Sequence, residues 1–291
     1  MATSRRNSAK GTITLLAWFI LLLTLASAST AQTPRPLVVG LDHIPVVVAD
    51  LQKAEADFRA MGFAIKPGHV HADGIRNVHV KFPDGTEIEL ITAPAAVDAL
   101  TSEYRAKLRS GEGPVYFGLY APDHPSLIAR LNASGLPLRE DGATLDFPPE
   151  TALHPLFFGS RNRTPTDRPE HFAHPNSAVR LSAVWIRDTP ALHTLFRDLG
   201  ISVQPVSLCN PILARKGSMA LLPEGRVYLV PSASENVIAA RVEVRSLAAL
   251  KSVLGKNHVQ MQPADPCEPG AVWVSPPSAH GIWLEFAGPQ R

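Results

Sequence analysis

Between Gly40 and Pro94 the chain changes hydrophobic period several times, and the changes mark out one structural unit. Leu41 to Val48 is a short apolar, β-branched run, long enough for a buried strand and too short for a helix. Asp50 stands where an N-cap belongs, with a carboxylate able to accept from the first free backbone amides. Leu51, Ala54, Phe58 and Met61 then recur at three- and four-residue steps, predicting one apolar helix face that Gly62 ends in the left-handed region. Strands are predicted around Phe63 to Ile65, Ile75 to Phe82 and Thr86 to Thr92, the last two joined by the turn Pro83-Asp84-Gly85. The order is β-α-β-β-β.

That unit repeats. Asp50 to Gly62, Asp123 to Gly135 and Asp188 to Gly200 each step twelve positions, the spacing of an N-capped helix of about three turns. A fourth copy starts at a Ser246 cap and places His258 where the others have glycine. Strand-like runs precede all four helices: HIPVVV, VYFGLY, RLSAVWI and AARVEV. Internal repetition therefore predicts an α+β fold of four similar modules. The stretch 161–177 is polar and Pro-rich with no apolar period, and reads as a linker between modules one and two (36–160) and modules three and four (178–289). Ala95 to Gly111 reads as a helix or loop.

The opening LDHIPVVVADL and closing GTEIELI of module one, with HADGIRN (His71 to Asn77) and HPNSAVRL (His174 to Leu181), resemble the glyoxalase-like branch of the vicinal oxygen chelate superfamily. The resemblance implies that βαβββ modules pair into two curved mixed-sheet cups, with metal ligands on the first and last strand of each module. It implies a metal-assisted lyase, isomerase or dioxygenase acting on a small oxygenated molecule. The alternative is a metal-free protein of the bleomycin-resistance type that binds or sequesters a small molecule.

Composition narrows the partners. Arg5, Arg6 and Lys10, the apolar run Ile13 to Leu25 and small residues through Ala31 describe a secretory signal peptide over residues 1–31, cleaved after Ala28 or Ala31. The run is shorter than the roughly 20 residues that span a bilayer, so no stable membrane insertion is expected after cleavage. Export to a periplasm or the medium follows, by the general or the twin-arginine route. The chain holds 28 basic and 26 acidic residues, and residues 1–31 hold three basic and no acidic ones, which leaves 25 against 26. A near-neutral mature protein with no block of like charge does not call for nucleic acid or an anionic membrane. Cys209 and Cys267 could pair in an oxidising compartment or remain buried thiols.

The candidate chemistry centres on His43 and Glu89. Both lie inside predicted strands, and a carboxylate among apolar neighbours needs a positive or hydrogen-bonding partner. By the resemblance these are the first- and last-strand ligands, suited to zinc, manganese, iron or nickel. Counting from the caps puts Tyr116 at the place of His43 in module two, while that module's last strand offers Phe157 and Phe158. In module four, Glu285 lies 39 residues beyond Ser246, as Glu89 lies 39 beyond Asp50. If modules one and four share a cup, His43, Glu89 and Glu285 form a three-ligand metal site in which Glu89 or Glu285 also serves as base. If one pairs with two, His43 and Glu89 stand alone, helped by His71, His79 or His154. Asn77, His79, Tyr116 and Phe158 are the expected substrate contacts. No GxSxG, P-loop or GxGxxG fingerprint is present.

Overall fold

The computed structural model describes residues 35–289 apart from 137, 143, 209, 211–214, 232 and 263–267. The signal segment and both cysteines therefore lie outside the described residues, as do the cleavage and disulfide expectations. Module one comprises β1 (Gly40–Leu41), β2 (His43–Val47), α1 (Leu51–Ala60), β3 (Lys66–Val70), β4 (Arg76–Lys81) and β5 (Glu87–Thr92). Helix α2 (Ala99–Ser110) leads to module two: β6 (Gly113–Pro114), β7 (Phe117–Tyr120), α3 (His124–Ala133), β8 (Arg139–Asp141), β9 (Thr144–Asp146) and β10 (Leu156–Gly159). Module three has β11 (Ala178–Arg187), α4 (Pro190–Asp198), β12 (Val203–Ser207), β13 (Lys216–Leu222) and β14 (Gly225–Val230). Module four has β15 (Val237–Val244), α5 (Leu247–Lys256), β16 (Met261–Gln262), β17 (Val272–Val274) and β18 (Trp283–Ala287).

The capping logic holds with one shift. Asp50, Asp123 and Ser246 each accept from the backbone amide three residues on, at 3.0, 3.1 and 3.1 Å. In α4 the cap is Thr189, because Pro190 opens the helix and moves its start by one residue. Asp188 instead meets His193 at 2.7 Å. Gly62 takes the left-handed conformation that ends α1, and His258 adopts it too, at φ 56°. The strand expected at Phe63 to Ile65 begins later, at Lys66. Phe63 is core filling, packed on Phe58, Phe82 and Phe286.

Strand pairing settles which modules share a cup. Val46 and Val47 pair with Pro114 and Gly113, while Gly40 and Leu41 pair with Tyr120 and Leu119. The first strand of module one is thus stitched antiparallel to the first strand of module two. Modules three and four form one eight-stranded sheet through β11 and β15, from Ala178 opposite Val244 to Ile186 opposite Val237. One pairs with two, and three with four. The outer faces and helices of both halves share one apolar core that includes Phe58, Leu127, Leu195 and Leu250.

The connection 161–177 is a strap tied to the first sheet. Asp167 meets Lys66 at 2.5 Å and Lys81 at 2.9 Å, and both lysines are buried. These cations hold its carboxyl below the ordinary range although burial opposes this. Arg161 donates to the Leu41 carbonyl at 3.1 Å. His174 accepts from the Ala64 amide at 3.0 Å and faces the Lys81 carbonyl at 2.9 Å, which fixes its proton on Nε2. Burial lowers its pKa to about 4, so it joins strap to sheet as a neutral ring.

Candidate functional site

Alternation along three neighbouring strands builds the cup face of the first half. Ile44, Val46, Val78, Val80, Ile88 and Leu90 point to the core, so His43 and Pro45, Asn77 and His79, and Glu87 and Glu89 face the other way. Register brings them together: His43 lies opposite Glu87, and Glu89 lies between Pro45 and His79. Helix α2 closes one end of this cup, where Tyr104 packs with Val47, Ile75, Ile91 and Ala93.

Hydrogen bonds fix the site's orientation. The His69 amide donates to Asn77 Oδ1 at 3.1 Å, so the Asn77 amide nitrogen is the donor to Glu89 Oε1 at 2.6 Å and to His71 Nε2 at 3.2 Å. Gly68 permits this, since a Cβ there would overlap Asn77 Oδ1. The other Glu89 oxygen lies 3.8 Å from His43 Nε2, beyond hydrogen-bond length. His43 Nδ1 meets Asp42 Oδ2 at 3.1 Å. Burial works against charging His43, but Asp42, Glu89 and Glu87 outweigh it and raise the pKa to about 9. The free protein therefore carries an imidazolium facing a carboxylate across a short gap.

That pair lies in the wall of a cavity of about 360 Å³. Tyr104, Tyr116 and Phe157 supply its aromatic surface, and the His43 and Phe157 ring centroids are 4.7 Å apart. Opposite stands a second polar group. Tyr116 donates to Glu103 Oε2, and His154 Nε2 meets that oxygen at 2.9 Å. His154 Nδ1 donates to the Phe147 carbonyl at 3.1 Å. Burial and Glu103 raise the Tyr116 pKa, so the phenol stays protonated. Glu103, on α2, had no repeat position to identify it in the sequence.

The expected site residues divide. His43, Glu89, Asn77, His79 and Tyr116 all lie in the first half and line its cup or the adjoining groove. Phe158 does not; it is fully buried in the core against Phe147, and its neighbour Phe157 reaches the cavity. Glu285 belongs to the other cup, with both oxygens buried and Arg241 Nη2 at 3.1 Å. Burial raises its pKa to about 7 against the opposing pull of Arg241 and Trp185. Trp185, Tyr228 and Trp273 fill that cup beside it. The three-ligand set His43, Glu89 and Glu285 is therefore not assembled, because one-with-two pairing puts Glu285 in a different sheet.

Register also tests the metal. Pro45 lies opposite Glu89, and Gly118, at the matching place in module two, lies opposite Phe157. Module two thus presents Tyr116 and Phe157 where His43 and Glu89 stand in module one. Among the described residues no group of three or more His, Cys, Asp or Glu converges to hold an ion. The donors fall one short of the usual three protein ligands.

A family model described as a glyoxalase-like domain matches residues 41–200. A search of curated proteins gives no match. Among solved structures, a hypothetical protein from Staphylococcus aureus is 10% identical with a TM-score of 0.59, over 87% of this chain and 100% of that one. A 2,3-dioxygenase from Pseudomonas sp. KL28 is 13% identical with a TM-score of 0.59, over 88% and 94%. A variant of homoprotocatechuate 2,3-dioxygenase from B. fuscum, in complex with HPCA, is 12% identical with a TM-score of 0.61, over 89% and 73%. At these identities the likeness is one of fold.

Proposed function

This chain belongs to the glyoxalase-like domain family of the vicinal oxygen chelate superfamily, and from that premise we propose that its first cup binds a small carbonyl compound and moves a proton on the carbon beside the carbonyl. The observation that carries this reading is the 3.8 Å gap between His43 Nε2 and Glu89 Oε2 in the wall of a partly aromatic cavity. Glu89 is the base, with one oxygen held by Asn77 and the other turned to the gap. Charged His43, held by Asp42, donates to the carbonyl oxygen and stabilises the enolate as negative charge develops there. Tyr104, Tyr116 and Phe157 orient the substrate and exclude water. A positioned acid and base of this kind contribute about 10²–10⁴ each in rate.

The same gap favours a second reading. A divalent ion with ligand bonds of about 2.0–2.2 Å could lie between His43 and Glu89, and would supply Lewis-acid polarisation of substrate oxygens. The donor set is one ligand short of the usual three. Metal-free binding without chemistry uses the same cup.

Solvent deuterium incorporation into a panel of hydroxy ketones, oxo acids and aryl ketones, followed by NMR with metal content measured on the same protein, tests these readings. Incorporation by chelator-treated protein supports proton transfer by the side chains alone. Incorporation that disappears with chelator and returns with manganese, iron, nickel or zinc transfers the assignment to the second reading. Binding with no incorporation leaves the sequestering role. Export through residues 1–31 belongs to the same proposal, and N-terminal sequencing of protein from the exported fraction should find a start after Ala28 or Ala31.

A further inference from the structure

His43 and Glu89 stand in the walls of two spaces, the aromatic cavity and a groove of about 630 Å³ between the first sheet and the strap. On this basis, and resting on the proposed use of the first cup, we infer that the substrate has two arms: a flat apolar body in the cavity and a neutral, hydroxyl-rich arm in the groove.

The groove's hydrogen-bonding groups specify the arm. Glu87 is nine-tenths buried or more, with one oxygen taken by His79 at 2.5 Å and the other closed off from solvent 3.9 Å from Lys81 Nζ, so it is not available to the arm. The donors come from two imidazoles. Asn77 donates to His71 Nε2, and the Arg168 amide donates to His171 Nδ1 at 3.1 Å. Each ring's own N–H is therefore on the remaining nitrogen, Nδ1 of His71 and Nε2 of His171. The groove wall carries both signs, Glu89 and Arg168 among them, and so selects neither an anionic nor a cationic arm. Hydroxyl groups accept from the imidazoles without adding charge.

The probes are hydroxyacetophenone, methyl glucoside and the two joined as hydroxyacetophenone glucoside, titrated calorimetrically into the full mature chain. Joining the halves makes the second contact intramolecular, so the glucoside should bind at least about tenfold more tightly than hydroxyacetophenone. His171→Leu, checked for a native circular dichroism spectrum, should remove that gain and leave hydroxyacetophenone affinity unchanged. Equal affinity for hydroxyacetophenone and its glucoside, or a gain that survives His171→Leu, overturns the two-armed substrate while leaving the first cup's assignment intact. Absence of binding by all three probes overturns both.

Discussion

Replacing Glu285 with glutamine should alter the pH dependence of stability and leave the first cup's activity unchanged. Glu285 is fully buried, and its carboxyl is raised from 4.5 to about 7 by burial, with Arg241 and Trp185 pulling the other way. A rise of about 2.5 in pKa at about 1.4 kcal/mol each is about 3.5 kcal/mol. The folded state binds this proton more tightly than the unfolded one. The stability it contributes is therefore fully present below about pH 4.5 and is lost as pH rises through about 7. A glutamine side chain in its place is neutral throughout and resembles the protonated acid. Urea unfolding of both proteins at pH 5 and pH 8 isolates the effect, since other titrating groups cancel in the comparison. The glutamine variant should match the wild type at pH 5 to within about 1 kcal/mol and exceed it by about 2–3 kcal/mol at pH 8. A difference that does not change with pH would rule out tighter proton binding by buried Glu285. So would a glutamine variant about 3–5 kcal/mol less stable at pH 8, which would mean that Glu285 is an ionised partner Arg241 cannot lose.

Further expectations concern the first cup. His43 has its pKa raised to about 9, so the advantage of wild type over His43→Gln should be full below about pH 6.5 and fade as pH rises through about 9, by about 2–3 kcal/mol, as urea unfolding can measure. Phe157→Glu puts a carboxylate at the place in module two that corresponds to Glu89, beside His43. It should gain near-stoichiometric divalent metal by mass spectrometry, and no gain over wild type would show that strand register misplaces this side chain. Asn77→Ala should free Glu89 Oε1 and reduce turnover about tenfold or more, and turnover within about twofold of wild type in a protein with a native circular dichroism spectrum would break the link.

Much of the scaffold was legible because it repeats. Asp50, Asp123 and Ser246 cap helices as their spacing predicts; alternation put His43 and Glu89 each on a strand face, and the family resemblance brought those strands together. Pairing was not legible, because each module presents similar first strands. The choice rests on contacts as short as Val46 with Pro114, which carry no sequence signature. That ambiguity is what left Glu285 open as a ligand. Phe157 and Phe158 could not be separated from sequence because they are adjacent in a strand, where one residue of register exchanges cavity for core. The strap reads as polar linker because its charges face buried partners, Lys66 and Lys81, that are distant in sequence.

On the proposed reading the working site is the first cup, with Glu89 as its base. Deuterium incorporation into one carbonyl substrate by wild type, Glu89→Gln and Glu285→Gln, prepared identically after chelation, is the direct test. Glu285→Gln should match wild type within about twofold, and Glu89→Gln should lose about 100-fold or more. Incorporation that survives in Glu89→Gln, or that collapses in Glu285→Gln, would place the base elsewhere.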